Sequence, residues 1–190
     1  GFNDQIRRMA DKFSQEGYAV LAVDLYKGES TENPREAGRR AGEVRENQEE
    51  AFANLAAAVQ FLEDNPEVNG DSLASVGWCF GGGWSLQASI QNELDAAVIY
   101  YGNVAITADE ASSIQCPLLG HFGTLDNSIN EEMVGQFQKS LRDAGKGDLL
   151  TTHWYTANHA FANPTGGRYD EDDANLAWSR THTFLASYLL

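Results

Sequence analysis

Short apolar runs alternating with amphipathic stretches constrain this chain more than any other feature of its sequence. Ile6, Met9, Ala10 and Phe13 recur at helical spacing, and Gly17 stands where a helix would end. Residues 18–24 then form a nearly continuous apolar run, the pattern of a strand buried on both faces. Residues 27–46 are polar and charged, with the turn formers Gly28, Pro34 and Gly38. Phe52, Leu55, Ala56, Val59 and Leu62 restore helical periodicity up to Asn65-Pro66. Further strand patterns at 73–76, 96–101, 117–122 and 149–155 alternate with helical ones at 83–91, 131–144 and 174–190. Apolar strands separated by helices predict an α/β fold, a predominantly parallel sheet with helices on both faces.

Composition removes several classes of function. A chain of 190 residues suits a single domain. Its 28 acidic residues against 13 Lys and Arg give a formal net charge of −15. That charge repels phosphate backbones and anionic lipid, so neither a nucleic-acid nor a membrane partner is expected. No apolar run approaches the ~18 residues that would read as a transmembrane helix. Two cysteines, Cys79 and Cys116, cannot form a disulfide framework. No G-x-G-x-x-G follows a strand pattern and no G-x-x-x-x-G-K-[ST] occurs, so no cofactor is implied.

The sharpest local signal is Val76-Gly77-Trp78-Cys79-Phe80-Gly81-Gly82-Gly83, a G-x-nucleophile-x-G pattern between a strand and a helix. A nucleophile in that turn is strained, and side chains at the flanking glycines would strike the neighbouring elements. The helix N-terminus that follows favours a thiolate. The competing reading of Cys79 is a small core residue. A nucleophile needs a base and the base an orienting acid. Asp126 lies just past the strand at 117–122, and His159 leaves the strand at 149–155. Asp126 could instead cap a turn, and His159 could be a surface loop histidine. His121 and His153 sit in strand patterns and His182 in a helix, which suits structural roles. A metal site from His121, Asp126 and His159 lacks the usual ligand spacing.

At these residues the chain resembles the dienelactone hydrolases, or carboxymethylenebutenolidases, cysteine-nucleophile members of the α/β-hydrolase superfamily. The matching stretches are Gly1-Phe2-Asn3, Ala22-Val23-Asp24-Leu25-Tyr26, Val76 to Gly83, Tyr100-Tyr101-Gly102, His121 to Asp126, and His153-Trp154-Tyr155 through His159-Ala160-Phe161. The resemblance implies an α/β-hydrolase fold and a Cys79–His159–Asp126 triad, with the Phe80 backbone N–H as one oxyanion donor. In the dienelactone-cleaving members an arginine four residues after the triad histidine helps bind a substrate carboxylate; Asn163 stands there in this chain. An amide lacks the charge-assisted fork that recognises a carboxylate. Arg35, Arg39, Arg40 and Arg45 offer positive charge, but Glu36–Arg40, Arg39–Glu43 and Arg45–Glu49 are spaced to pair along a solvated helix.

In the family a strand precedes the Gly1 position, and its joining loop carries a glutamate and the second oxyanion donor. The expectation is therefore a single domain over 1–190 lacking an N-terminal segment of the working protein. The expected activity is hydrolysis of small, largely apolar esters or lactones through an acyl-enzyme on Cys79. Thioesters or activated phosphotriesters are alternative electrophiles, and a non-catalytic binding module is a further alternative. Trp78, Tyr101, Phe161 and Asn163 are the expected substrate-binding residues, and a small-molecule ester or lactone is the expected partner. A reduced nucleophilic thiol suggests the cytoplasm, and a monomer or small homo-oligomer is anticipated.

Overall fold

The computed structural model describes residues 2–31 and 33–190. Gly1, the first residue of the Gly1-Phe2-Asn3 stretch, lies outside the described residues. The chain is organised as two compact units, residues 1–71 and 72–190.

The first unit carries three helices, α1 (Asp4–Gln15), α2 (Pro34–Glu46) and α3 (Gln48–Glu63). Each start has a local cause. Asn3 accepts a hydrogen bond from the Ile6 N–H, and Asn33 accepts from Arg35 and Glu36. Pro34, read from sequence as a turn former, occupies the first turn of α2, where its missing N–H costs nothing. The charges of α2 pair as their spacing anticipates: Arg40 Nη2 meets Glu36 at 3.0 Å, and Arg39 contacts both Glu36 and Glu43. Arg40 also pairs with Glu29. These contacts occupy two of the four arginines considered as anion binders. The strand expected at 18–24 does not form among the described residues. Val20, Leu21 and Val23 stay partly exposed, because β-propensity is realised only against a neighbouring strand, and no ladder partner is present here. At its end the Asp24 carboxylate accepts from the N–H groups of Tyr26 and Gly28, which folds the turn that follows.

The second unit is the α/β unit. Four strands, β1 (Ala74–Trp78), β2 (Ala96–Tyr100), β3 (Leu118–Gly123) and β4 (Leu150–Tyr155), pair in parallel in the order β1-β2-β3-β4. Between and after them run α4 (Phe80–Gln91), α5 (Ala108–Ser112), α6 (Glu131–Asp143) and α7 (Glu171–Leu189). Every residue of β2 and β3 is buried, which is why their sequence reads as continuous apolar runs. Ile99, Leu118 and Phe122 pack with Phe137 and Leu141 of α6 in one fully buried cluster. Each such side chain contributes roughly 1.5–3 kcal/mol. The short helix α5 was not legible as a helix, although Thr107 and Glu110 form a reciprocal capping box at its start.

Helix α4 leaves β1 with almost no spacing, and glycines make the approach feasible. A Cβ on Gly77 would lie 1.9 Å from the Gly81 carbonyl oxygen. One on Gly82 would lie 2.7 Å from the Tyr100 oxygen, and one on Gly102 only 2.4 Å from the Gly82 carbonyl carbon. Gly81, the second glycine of the sequence pattern, has open space around its Cβ position. The steric requirement expected of Gly81 is therefore carried by Gly82, one residue further into the helix. We expect Gly77→Ala to cost at least about 3 kcal/mol and Gly82→Ala about 1–3 kcal/mol. Gly81→Ala should be neutral or stabilising by about 0.5–1 kcal/mol, since it removes a helix glycine. Urea unfolding of the three variants checks the ranking.

Candidate active site

The C-terminal edge of the sheet is where the sequence-derived candidates meet. Trp78, Tyr100, His121 and His153 stand level across the four strands. The backbone ladder continues beyond that row: the Cys79 N–H donates to the Tyr100 carbonyl at 2.9 Å and the Tyr101 N–H to the His121 carbonyl at 2.8 Å. The loops after β3 and β4 are joined in the same way, Thr124 donating to Tyr155 at 2.8 Å and Leu125 to Ala157 at 3.0 Å. Gly123 permits this, because a Cβ there would sit 2.3 Å from the Ala157 oxygen.

These loops bring three side chains into one hydrogen-bonded chain. His159 Nδ1 lies 2.6 Å from Asp126 Oδ2, and His159 Nε2 lies 3.0 Å from Cys79 Sγ. The carboxylate can only accept, so Nδ1 carries the proton and Nε2 faces the sulfur. Asp126 is buried, and its other oxygen accepts from the N–H groups of Ser128 and Ile129 at 2.8 and 3.0 Å. Cys79 is exposed. Its φ of 54° is left-handed, the strained turn that the flanking glycines anticipate.

The electrostatics follow from these contacts. Burial pushes the Cys79 thiol up, but the His159 hydrogen bond and charge, with the Phe80 N–H, outweigh it and hold the thiol below its ordinary value. The bond to Cys79 raises His159, burial opposes this, and the bond to Asp126 adds to the rise. Burial raises Asp126, yet the Ile129 N–H, His159 and the Ser128 N–H together bring it below the usual carboxylate range. Each of the three groups is thus shifted toward its charged form: thiolate, imidazolium and carboxylate. Such a group can attack an electrophilic centre and then return a proton to a leaving group.

The residues expected to bind substrate fall in different places. Trp78 is half-buried at the end of β1, its ring 5.4 Å from that of Tyr100. Tyr101 and Phe161, 2% and 0% exposed, meet edge to face at 5.4 Å. Their aromatic bulk is packed beside the His159 loop, which leaves no ring surface for a ligand. Asn163 Oδ1 accepts from the Thr165 N–H at 3.1 Å and its hydroxyl at 2.8 Å, closing a turn of its own. Phe80 opens α4, and its N–H is aimed at the Cys79 sulfur.

Some features of the site were not read from sequence. Tyr101 has φ 38° and Ala160 has φ 64°, so three of the four left-handed non-glycine residues among those described are at or beside the candidate trio. Each such conformation costs on the order of 1–3 kcal/mol. Beneath the sheet edge, fully buried His121 bonds Tyr155 Oη through Nδ1 at 2.8 Å and Thr181 Oγ1 through Nε2 at 3.0 Å. Arg180 donates to the same Tyr155 oxygen at 3.1 Å. Burial, with His153 and Arg180 nearby, lowers His121 to about 3, so it stays neutral. Both His121 nitrogens are thus committed to a structural network, and no group of three His, Cys, Asp or Glu side chains among the described residues could hold a metal ion.

Comparison with known proteins bears on the family and the fold. Residues 1–189 match the model of the dienelactone hydrolase family. The carboxymethylenebutenolidase of Pseudomonas putida is 28% identical, the match covering 98% of this chain and 81% of that protein. Protein usf of Aquifex pyrophilus is 29% identical over 97% of this chain and 81% of its own length. A dienelactone hydrolase-like promiscuous phosphotriesterase from metagenomic libraries superposes with a TM-score of 0.91 at 22% identity, covering all of this chain and 83% of that one. At that identity the likeness is one of fold. No described helix is long and apolar enough to cross a membrane. With the family model matched from the first residue through 189 and the α/β-hydrolase architecture in place, the chain belongs to the dienelactone hydrolase family and is a hydrolase.

Proposed function

We propose that this protein hydrolyses small, largely apolar esters or lactones with Cys79 as nucleophile, His159 as general base and acid, and Asp126 as the residue that orients His159. One observation carries the reading: the unbroken hydrogen-bonded line from Cys79 Sγ through His159 to a buried Asp126. The Cys79 thiolate attacks the carbonyl carbon, forming the C–S bond and moving the C=O electron pair onto oxygen. The Phe80 N–H stabilises that oxyanion in this reading, and one such donor is typically worth about 2.7–4 kcal/mol. The C–O bond to the leaving group then breaks, and His159 supplies its proton. His159 next takes a proton from water, whose oxygen attacks the thioester and releases the acid and the thiolate. Asp126 keeps the proton on Nδ1 throughout, so that Nε2 is always the exchanging nitrogen.

The substrate class rests on the family and on charge. The Pseudomonas putida relative is named a carboxymethylenebutenolidase, an enzyme of a lactone. Asn163 carries no charge, its oxygen serves its own turn, and the net charge of −15 gives no general attraction to anionic substrates. Neutral esters and lactones are therefore preferred over carboxylate-bearing ones. A nucleophilic thiol works in a reducing compartment such as the cytoplasm.

Kinetics on a panel of neutral esters, lactones, thioesters and phosphotriesters tests the reading. Cys79→Ala should lower kcat for esters by at least about 10³-fold, and Asp126→Asn by up to about 10⁴-fold, with folding intact. Unchanged ester turnover in Cys79→Ala contradicts the assignment, and a phosphotriester preferred over every ester moves the substrate class. The thiol also sets a pH dependence. Because its folded value lies below the ordinary 9.0, thiolate persists under milder conditions and is lost only as pH falls through that lowered value. Iodoacetamide alkylation of Cys79 should therefore reach half its maximal rate below pH 9.0. In His159→Ala the midpoint should rise, since only the Phe80 N–H then opposes burial at the thiol.

A further inference from the structure

Tyr101 holds a conformation that a tyrosine does not choose. Its φ of 38° lies in the region that glycine occupies freely, and Gly102 follows immediately. The side chain is nonetheless large and almost wholly buried. Something about the ring offsets the backbone strain. The ring meets the His159 imidazole edge to face, 5.2 Å between centroids at 60°. Phe161 supports it from another side at 5.4 Å, and Phe161 itself stacks on Tyr155 at 4.9 Å. The phenolic oxygen accepts the Ala162 N–H, which ties the ring to the loop that carries His159. Tyr101 thus touches both the imidazole and the segment on either side of left-handed Ala160.

The contact has a chemical use. In the resting site His159 is held at two points, by Asp126 and by the Cys79 sulfur. Once the sulfur has bonded to carbon it no longer pairs with Nε2. The imidazolium must still deliver its proton to the leaving oxygen and then face a water, held by one hydrogen bond about which it can swing. A second, non-polar support is needed for those steps, and it has to come from the ring's flank, where it does not compete for either nitrogen. We propose that Tyr101 is a positioning residue for His159, held against the imidazole by its left-handed backbone and by Phe161, and that it matters most after Cys79 has been acylated. This rests on the assignment of Cys79 and His159 given above. Neither the strain at Tyr101 nor the burial of Phe161 is needed for a substrate-binding role.

Tyr101→Leu removes the aromatic contact while keeping apolar bulk, and Tyr101→Phe keeps the ring and loses only the bond from Ala162. Two quantities are read on each: the steady-state constants for a neutral ester, and the downfield proton resonance of His159 Nδ1–H in protein whose Cys79 is capped with iodoacetamide. The cap removes the sulfur contact and stands in for the acyl-enzyme. Tyr101→Leu should lower kcat by about 10- to 100-fold with KM within about threefold. Its capped form should lose the downfield resonance that the capped parent retains. Tyr101→Phe should keep the resonance and lose less than about fivefold in kcat. If Tyr101→Leu does not fold, Phe161→Leu is read instead, with the same pattern expected at threefold or more in kcat, about the least such misplacement should cost. A folded variant with kcat within twofold of the parent, a loss carried equally by kcat and KM, or a resonance that survives in Tyr101→Leu overturns the proposal. The parallel Cys79→Ala protein separates the two levels: if it still turns over ester, the nucleophile assignment fails, whereas an inactive Cys79→Ala beside an unimpaired Tyr101→Leu removes only the role of Tyr101.

Discussion

Parallel register is the constraint on which the rest of this structure depends. Because Trp78, Tyr100, His121 and His153 stand level, the residues just beyond them emerge along one edge of the sheet. Cys79 follows Trp78 directly, while Asp126 and His159 come from the loops that continue the β3–β4 pairing. A slip of one residue would turn every side chain of a strand to the opposite face and carry its loop out of reach. The glycines at 77, 82 and 102 serve the same end, since they let α4 start immediately after β1 and put Cys79 at the turn between them. The turn that carries Cys79 is a consequence of how closely helix and strand approach.

Upon that frame the site divides its polar groups into two sets. Asp126, His159 and Cys79 form a line that ends at solvent, and each group is displaced toward its charged form by its neighbours. Arg180, Tyr155, His121 and Thr181 form a second line that is buried, and there the histidine is held neutral. Two histidines, one in β3 and one in the loop after β4, therefore behave oppositely. The difference is environmental: one has a carboxylate and a thiol for partners, the other is fully buried with hydroxyl groups for partners and an arginine nearby. Tyr100, which bonds Thr181 and packs on Trp78, joins the buried line to the residue that precedes Cys79.

Much of this was legible in the sequence, and the exceptions have physical reasons. The four paired strands and the long helices announce themselves through periodicity, because burial on two faces or one dictates the spacing of apolar residues. Cys79, Asp126 and His159 could be picked out from their positions after strands, though only the folded chain brings them within hydrogen-bonding distance. The segment at 18–24 has the composition of a strand yet is not one here, since a strand exists only by pairing and composition cannot supply the partner. Gly81 fitted a motif whose steric reason belongs to Gly82, a distinction that depends on the direction of each Cβ. Tyr101 and Phe161 read from sequence as substrate-binding residues, and only the folded chain shows that both rings are buried beside the His159 loop. The turn that Asn163 Oδ1 closes with Thr165 depends on backbone angles that the sequence does not display.

The central claim is that the Cys79 sulfur bonds covalently to the acyl group of an ester during turnover. Mass spectrometry of the protein mixed with a slowly deacylating neutral ester tests this most directly. A mass increase equal to the acyl group, located on the peptide containing Cys79 and absent from Cys79→Ala, is the predicted result. Turnover of the same ester with no adduct on Cys79, or with the adduct on another residue, would contradict it.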